Sequence, residues 1–138
     1  MNSNNSITPI NNTTKEEHVL IVMAHGSRKK EANDEFEELV ETITQGDLSH
    51  AAITHCFLEL SQPSLKDVVE EYIAKGYQQF ELYPLFFNQG NHVKRDIPNQ
   101  IERITQQFPN IDIHQLHYFG MNPNISSTVI EHIHQQSA

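Results

Sequence analysis

One cysteine, Cys56, stands in 138 residues. A single thiol excludes an intramolecular disulfide and fits a reducing compartment. Lying within an apolar run, it needs no role beyond that of a small hydrophobe. No stretch approaches the ~18 apolar residues of a spanning helix, and the N-terminus lacks the charged-then-apolar order of a secretory signal. A cytoplasmic protein without membrane contact is therefore expected. The strong metal motifs HExxH and CxxC are missing. So is a Gly-rich phosphate loop after the first apolar run, which disfavours a flavodoxin-like nucleotide binder. Lysine and arginine are scarce, nine against eighteen acids, for a formal charge of −9. An acidic balance argues against nucleic-acid binding, which relies on a basic surface. This length suits one domain, and no shorter repeat is visible.

The few cations are not spread evenly. Five of the nine, Arg28, Lys29, Lys30, Lys94 and Arg95, lie within five residues of His25 or His92. An acidic chain that gathers its cations at two loops is suited to holding a small polyanion there.

Residues 1–17 are rich in Asn, Ser and Thr and read as a disordered tail, leaving 18–138 as the domain. Val19 to Ala24 is an unbroken apolar run of strand length. Ala32, Phe36, Leu39, Val40 and Ile43 then recur at helical spacing, to a stop near Gly46. Ala51 to Leu60 reads as a second strand, and a second helix is expected from Pro63 with Ser61 or Gln62 at its cap. Its inner face is Leu65, Val68, Val69, Tyr72 and Ile73, and Gly76 ends it. Gln79 to Phe87 reads as a third strand. Asp96 is expected to cap a third helix with Pro98 in its first turn and Ile97, Ile101, Ile104 and Phe108 inward. Ile111 to Tyr118 gives a looser strand, and Asn122-Pro123 opens a last helix with Ile125, Val129 and Ile133 inward.

Four β-α units imply an α/β fold: a parallel sheet with right-handed crossovers and helices on both faces. The first and third strands are the most continuously apolar, so they belong in the centre and the expected order is 2-1-3-4. Chain direction reverses between those two strands, and ligands of such sheets bind at that switch point, beyond the carboxyl ends. His25 and His92 follow the two central strands. Imidazole ligates borderline divalent metals and titrates near neutrality, so the pair is a candidate for holding a metal or moving protons. Gly26 and Gly90 are expected to let the backbone turn tightly beside a ligand. Glu59, closing the second strand, opens toward the same rim. His18, His50, His55, His114, His132 and His134 read as ordinary loop, strand or terminal histidines, and His117 as a potential outer partner of the site.

Three stretches in this order carry a resemblance: Ala24-His25-Gly26-Ser27-Arg28, Phe57-Leu58-Glu59, and Pro84-Leu85-Phe86-Phe87-x-x-Gly90-x-His92-Val93-x-x-Asp96-Ile97-Pro98. Together they resemble the small CbiX-type sirohydrochlorin chelatases of the class II chelatase group, over roughly residues 18–125. The resemblance implies a single chelatase-like domain, flavodoxin-like in outline, that inserts Co²⁺ or Fe²⁺ into sirohydrochlorin for cobalamin or sirohaem synthesis; a nickel-inserting relative also exists. It implies metal handling by His25 and His92, with Glu59 associated with the site. The metal is substrate, and no permanently bound cofactor is expected. Where the family often has Leu-Gly-x-His-Pro after the last strand, this chain has Phe119-Gly120-Met121-Asn122-Pro123.

On this view Ser27, Arg28, Lys29, Gly90, Asn91, Lys94 and Arg95 face the carboxylated periphery of the macrocycle. Phe86 and Phe87, with Leu60, offer a surface for its apolar plane. A flat tetrapyrrole needs two walls and this domain supplies one, so a homodimer is expected. A histidine phosphatase also places His-Gly after its first strand but needs Arg directly before it, where this chain has Ala24. A non-enzymatic metal or tetrapyrrole carrier using the same pocket is the remaining alternative.

Overall fold

Val19 to Met23 are all buried, as an unbroken apolar run requires when both faces of its strand are covered. The computed structural model describes residues 15–137. Four parallel strands, β1 (His18–Ala24), β2 (Ala52–Phe57), β3 (Gln79–Pro84) and β4 (Asp112–Gln115), lie in the order β2-β1-β3-β4, as expected. Helices α1 (Lys30–Thr44), α2 (Leu65–Ala74), α3 (Asn91–Gln107) and α4 (Ile125–Gln136) alternate with them. Side chains of β1 alternate between two cores. Val19, Ile21 and Met23 pack with Leu65, Val68 and Val69 of α2 and Ile97 and Ile104 of α3. Leu20 and Val22 pack with Val40 and Phe36 of α1. The register pairs Ala24 with Phe57 and Met23 with Pro84, so three strands end level.

Most of the disordered tail expected for residues 1–17 lies outside the described residues, but Lys15–Glu17 forms a 3-10 turn leading into β1. β2 stops three residues before the expected Leu60, which has a positive φ of 71° and breaks the extended run. Hydrogen bonding nevertheless persists past its end: Leu58 N–H donates to the Ala24 carbonyl and Glu59 N–H to the His25 carbonyl. Similarly β3 ends at Pro84, short of the expected Phe87, and one more bond follows from Leu85 N–H to the Met23 carbonyl. β4 is also shorter than Ile111 to Tyr118.

The cap of α2 is neither Ser61 nor Gln62. Ser64 takes it, because Ser64 and Asp67 form a reciprocal capping box while Pro63 is held extended by a bond from Phe57 N–H. α3 departs most from expectation. It starts at Asn91 with Gly90 at the cap, so Asp96 lies within the helix and Pro98 in its interior. The buried Ile97 and Ile104, each worth about 1.5–3 kcal/mol, offset the ~3 kcal/mol that an interior proline costs.

Three apolar readings fail. Ala32 and Leu39 of α1 are exposed, leaving Val40 as its buried residue. α4 begins at Ile125 rather than at Asn122-Pro123 and buries none of its residues; Val129, Ile130 and Ile133 are 48, 53 and 52% exposed. Helical spacing marks an apolar stripe, but only neighbouring elements decide whether it is covered.

Candidate metal centre

The loop after β1 is shaped by Gly26, whose φ of +102° suits glycine, and whose absent Cβ would lie 1.9 Å from the Glu59 carbonyl oxygen. That close approach brings the ends of β1 and β2 together. Asn33 of α1 staples the loop: Ser27 N–H donates to Asn33 Oδ1, while Asn33 Nδ2 donates to the Ser27 carbonyl and to Ser61 Oγ. Ser61 Oγ in turn donates to the Ser27 carbonyl, which explains its absence from the helix cap. Ser27 Oγ accepts from Lys29 N–H and so serves the loop's own geometry.

Glu59 stands between the two histidines. Its Oε2 lies 2.9 Å from His25 Nε2 and its Oε1 lies 3.9 Å from His92 Nε2. His25 Nδ1 lies 3.2 Å from the Gly26 carbonyl. At 2.9 Å the Nε2–H of His25 donates to the Glu59 carboxylate, and a cation held between His25 and Glu59 would take the place of that proton. The Phe86 ring meets the His25 ring edge-on, with centroids 6.5 Å apart. The side chains of His25, Glu59 and His92 are 44, 39 and 65% exposed, so the centre is an open face rather than an enclosed pocket.

The sequence places His92 in a loop, whereas the structure puts it in the first turn of α3 together with Asn91. This brings Asp96, one turn further on, to the same helix face. Among the described residues, Glu59, His92 and Asp96 form a group of three whose donor atoms all lie within 4.8 Å of one another. By sequence Asp96 reads as a helix cap; its i, i+4 spacing from His92 is the signal for this second role. Gln100 Nε2 donates both to Asp96 Oδ2 and to the Leu58 carbonyl, tying α3 to the end of β2.

Gly90 does not turn tightly. Its φ is −74° and a Cβ there would meet nothing within 4 Å, so the glycine is not required by local geometry. Gly120 is instead the tight glycine, with nothing in its sequence context to mark it: a Cβ there would lie 1.7 Å from the Phe87 carbonyl oxygen, and its N–H donates to the Phe86 carbonyl. Phe119-Gly120-Met121 thus braces the Phe86-Phe87 segment. Asn122 accepts from Asn124 N–H and closes a local turn.

Phe86 is half-buried and Phe87 is 72% exposed, edge-on to Phe119. Arg28, Lys29, Lys94 and Arg95 are exposed, while Lys30 is paired to Asp34 at 2.8 Å, which raises the pKa of its amine. His117 is also exposed. His18 and His50 are more constrained than loop histidines: both face Glu81, a buried carboxylate of β3, at 3.7 and 2.6 Å. A buried acid needs such partners. Cys56 is buried in β2, and desolvation pushes its thiol pKa far up.

A family model described as CbiX matches residues 19–136. The sirohydrochlorin ferrochelatase of Priestia megaterium is 28% identical over 116 residues, covering 84% of this chain and 43% of that protein. The sirohydrochlorin cobaltochelatase of Sulfurisphaera tokodaii is 34% identical over 86 residues, covering 62% of this chain and 68% of that one. Among solved structures, a putative cobalamin biosynthesis CbiX protein from Marinobacter aquaeolei superposes with a TM-score of 0.77 at 28% identity, covering 86% of this chain and 96% of the other. The sirohydrochlorin chelatase SirB of Bacillus subtilis subspecies spizizenii, in complex with cobalt, superposes with a TM-score of 0.76 at 25% identity, covering 86% and 50%. The chain spans about half the length of the Priestia ferrochelatase and of SirB.

Proposed function

This chain belongs to the CbiX family, and from that premise we propose that it inserts a divalent metal, Co²⁺ or Fe²⁺, into sirohydrochlorin. The observation that carries the reading is Glu59 bridging His25 and His92 at the carboxyl end of the sheet, beside two exposed cation clusters. Insertion exchanges the metal's waters for ring nitrogens and releases both pyrrolic protons. The neutral imidazoles of His25 and His92 hold the metal, and as it passes to the ring nitrogens the freed imidazoles and Glu59 accept the two pyrrolic protons. Arg28, Lys29, Lys94 and Arg95 engage the carboxylates of the macrocycle, and Phe86 and Phe87 receive its apolar plane. Relatives named for iron and for cobalt match alike, in keeping with metal choice set by geometry and supply more than by ligand identity. The product serves cobalamin or sirohaem synthesis, and the lone buried thiol suits the cytoplasm.

We also propose that two copies pair. The open centre gives a flat macrocycle one wall, and this fold accounts for half of the longer SirB chain.

The test is anaerobic metallation of sirohydrochlorin with Co²⁺, Fe²⁺ and Ni²⁺, followed by absorbance. The wild type is expected to accelerate insertion and His25→Ala and His92→Ala each to abolish the acceleration. Stoichiometric binding of the macrocycle with an unchanged insertion rate would replace the enzyme with a carrier.

A further inference from the structure

Asp96 gives this centre a fourth donor. Glu59 lies 2.9 Å from His25 and 3.9 Å from His92, and Asp96 converges with Glu59 and His92. His25 is not part of the convergent group, whose donor atoms all lie within 4.8 Å of one another. Two carboxylates and one imidazole make a harder donor set than two imidazoles and one carboxylate. Their two negative charges match a divalent ion that still carries waters.

Without a cation, two carboxylates held this near each other repel. The fold nevertheless fixes them there: Gln100 binds Asp96 Oδ2 and the carbonyl of Leu58, the residue before Glu59. One amide thus clamps the helix that carries Asp96 to the strand end that carries Glu59. It occupies one oxygen of Asp96 and leaves the other for a ligand.

We propose that Glu59, His92 and Asp96 form a loading position for the hydrated metal, distinct from the insertion position at His25, Glu59 and His92. This rests on the chelatase reading above. The ion enters on the exposed tripod, then exchanges Asp96 for His25 while Glu59 and His92 stay bound. It therefore reaches the macrocycle without returning to water. Asp96 acts before the macrocycle is engaged, so its contribution is measurable with metal alone.

The experiment is calorimetric titration of the full chain with Co²⁺ alone, anaerobically, alongside the metallation assay on the same preparations. Wild type is expected to bind Co²⁺. Asp96→Asn, which preserves shape and the Gln100 bond, should weaken that binding by about tenfold or more. His25→Ala should weaken it distinctly less than Asp96→Asn does, while still failing to metallate the macrocycle. Unchanged Co²⁺ affinity in Asp96→Asn overturns the loading position, as does a loss in His25→Ala as large as that in Asp96→Asn. Circular dichroism checks the fold, and if Asp96→Asn is unfolded, Asp96→Ser carries the same two outcomes. A wild type that binds Co²⁺ through Asp96 but does not accelerate metallation defeats the chelatase reading and leaves the metal site standing. Acceleration by a wild type whose affinity is indifferent to Asp96 defeats the loading position alone.

Discussion

Gly26 can carry no side chain without moving Glu59. Its φ of +102° disfavours any L residue, and a Cβ would meet the Glu59 carbonyl oxygen at 1.9 Å. Gly26→Ala is therefore expected to lose about 1–3 kcal/mol from backbone strain alone, with more from the clash. Because the displaced residue is Glu59, Co²⁺ affinity should fall with stability. Chemical denaturation and metal titration of the same variant check this, and a variant of wild-type stability would show that the loop relaxes freely. His25, Glu59 and His92 were legible as candidates because each follows an apolar run at a strand end. Asp96 was not, because aspartate before Ile-Pro reads equally well as a helix cap, and only the true start of α3 at Asn91 decides between the roles.

Among the elements, α2 is the most self-sufficient at its start. Ser64 accepts from Asp67 N–H and Asp67 returns a bond to Ser64 N–H. Ser64→Ala should cost about 1 kcal/mol, read as a lower urea midpoint with unchanged slope, while Co²⁺ affinity is unaffected. A midpoint equal to wild type would mean that packing of Leu65, Val68 and Val69 alone sets this helix. The helices whose faces are buried follow their apolar spacing closely. Their starts differ from those the sequence implies because Pro63 and Pro98 both read as first-turn prolines. Pro63 instead lies before the cap of α2 and Pro98 deep within α3, where burial of Ile97 and Ile104 outweighs local preference.

For the whole molecule, the stripe of Val129, Ile130 and Ile133 on α4 is exposed, as is the candidate metal centre, and the proposed pairing would cover such surfaces. A light-scattering mass of two chains is expected, and Ile130→Glu should shift it toward one chain with the helical signal retained. A one-chain mass for the wild type at working concentration would overturn the pairing. The sequence by itself determined the α/β alternation, the parallel sheet and its order, since continuous apolar runs belong to strands covered on both faces. It also determined that His25 and His92 meet at one rim, since both follow central strands. Only the tertiary structure decided that Glu59 stands between them, that Asp96 joins them and that α4 lies uncovered. The first two are distances between segments far apart in the chain, set by the clamp of Gln100 on Leu58 and by the close approach of Gly26 to Glu59. Periodicity carries no such information, because it fixes which face a residue takes on its own element and not what that face meets.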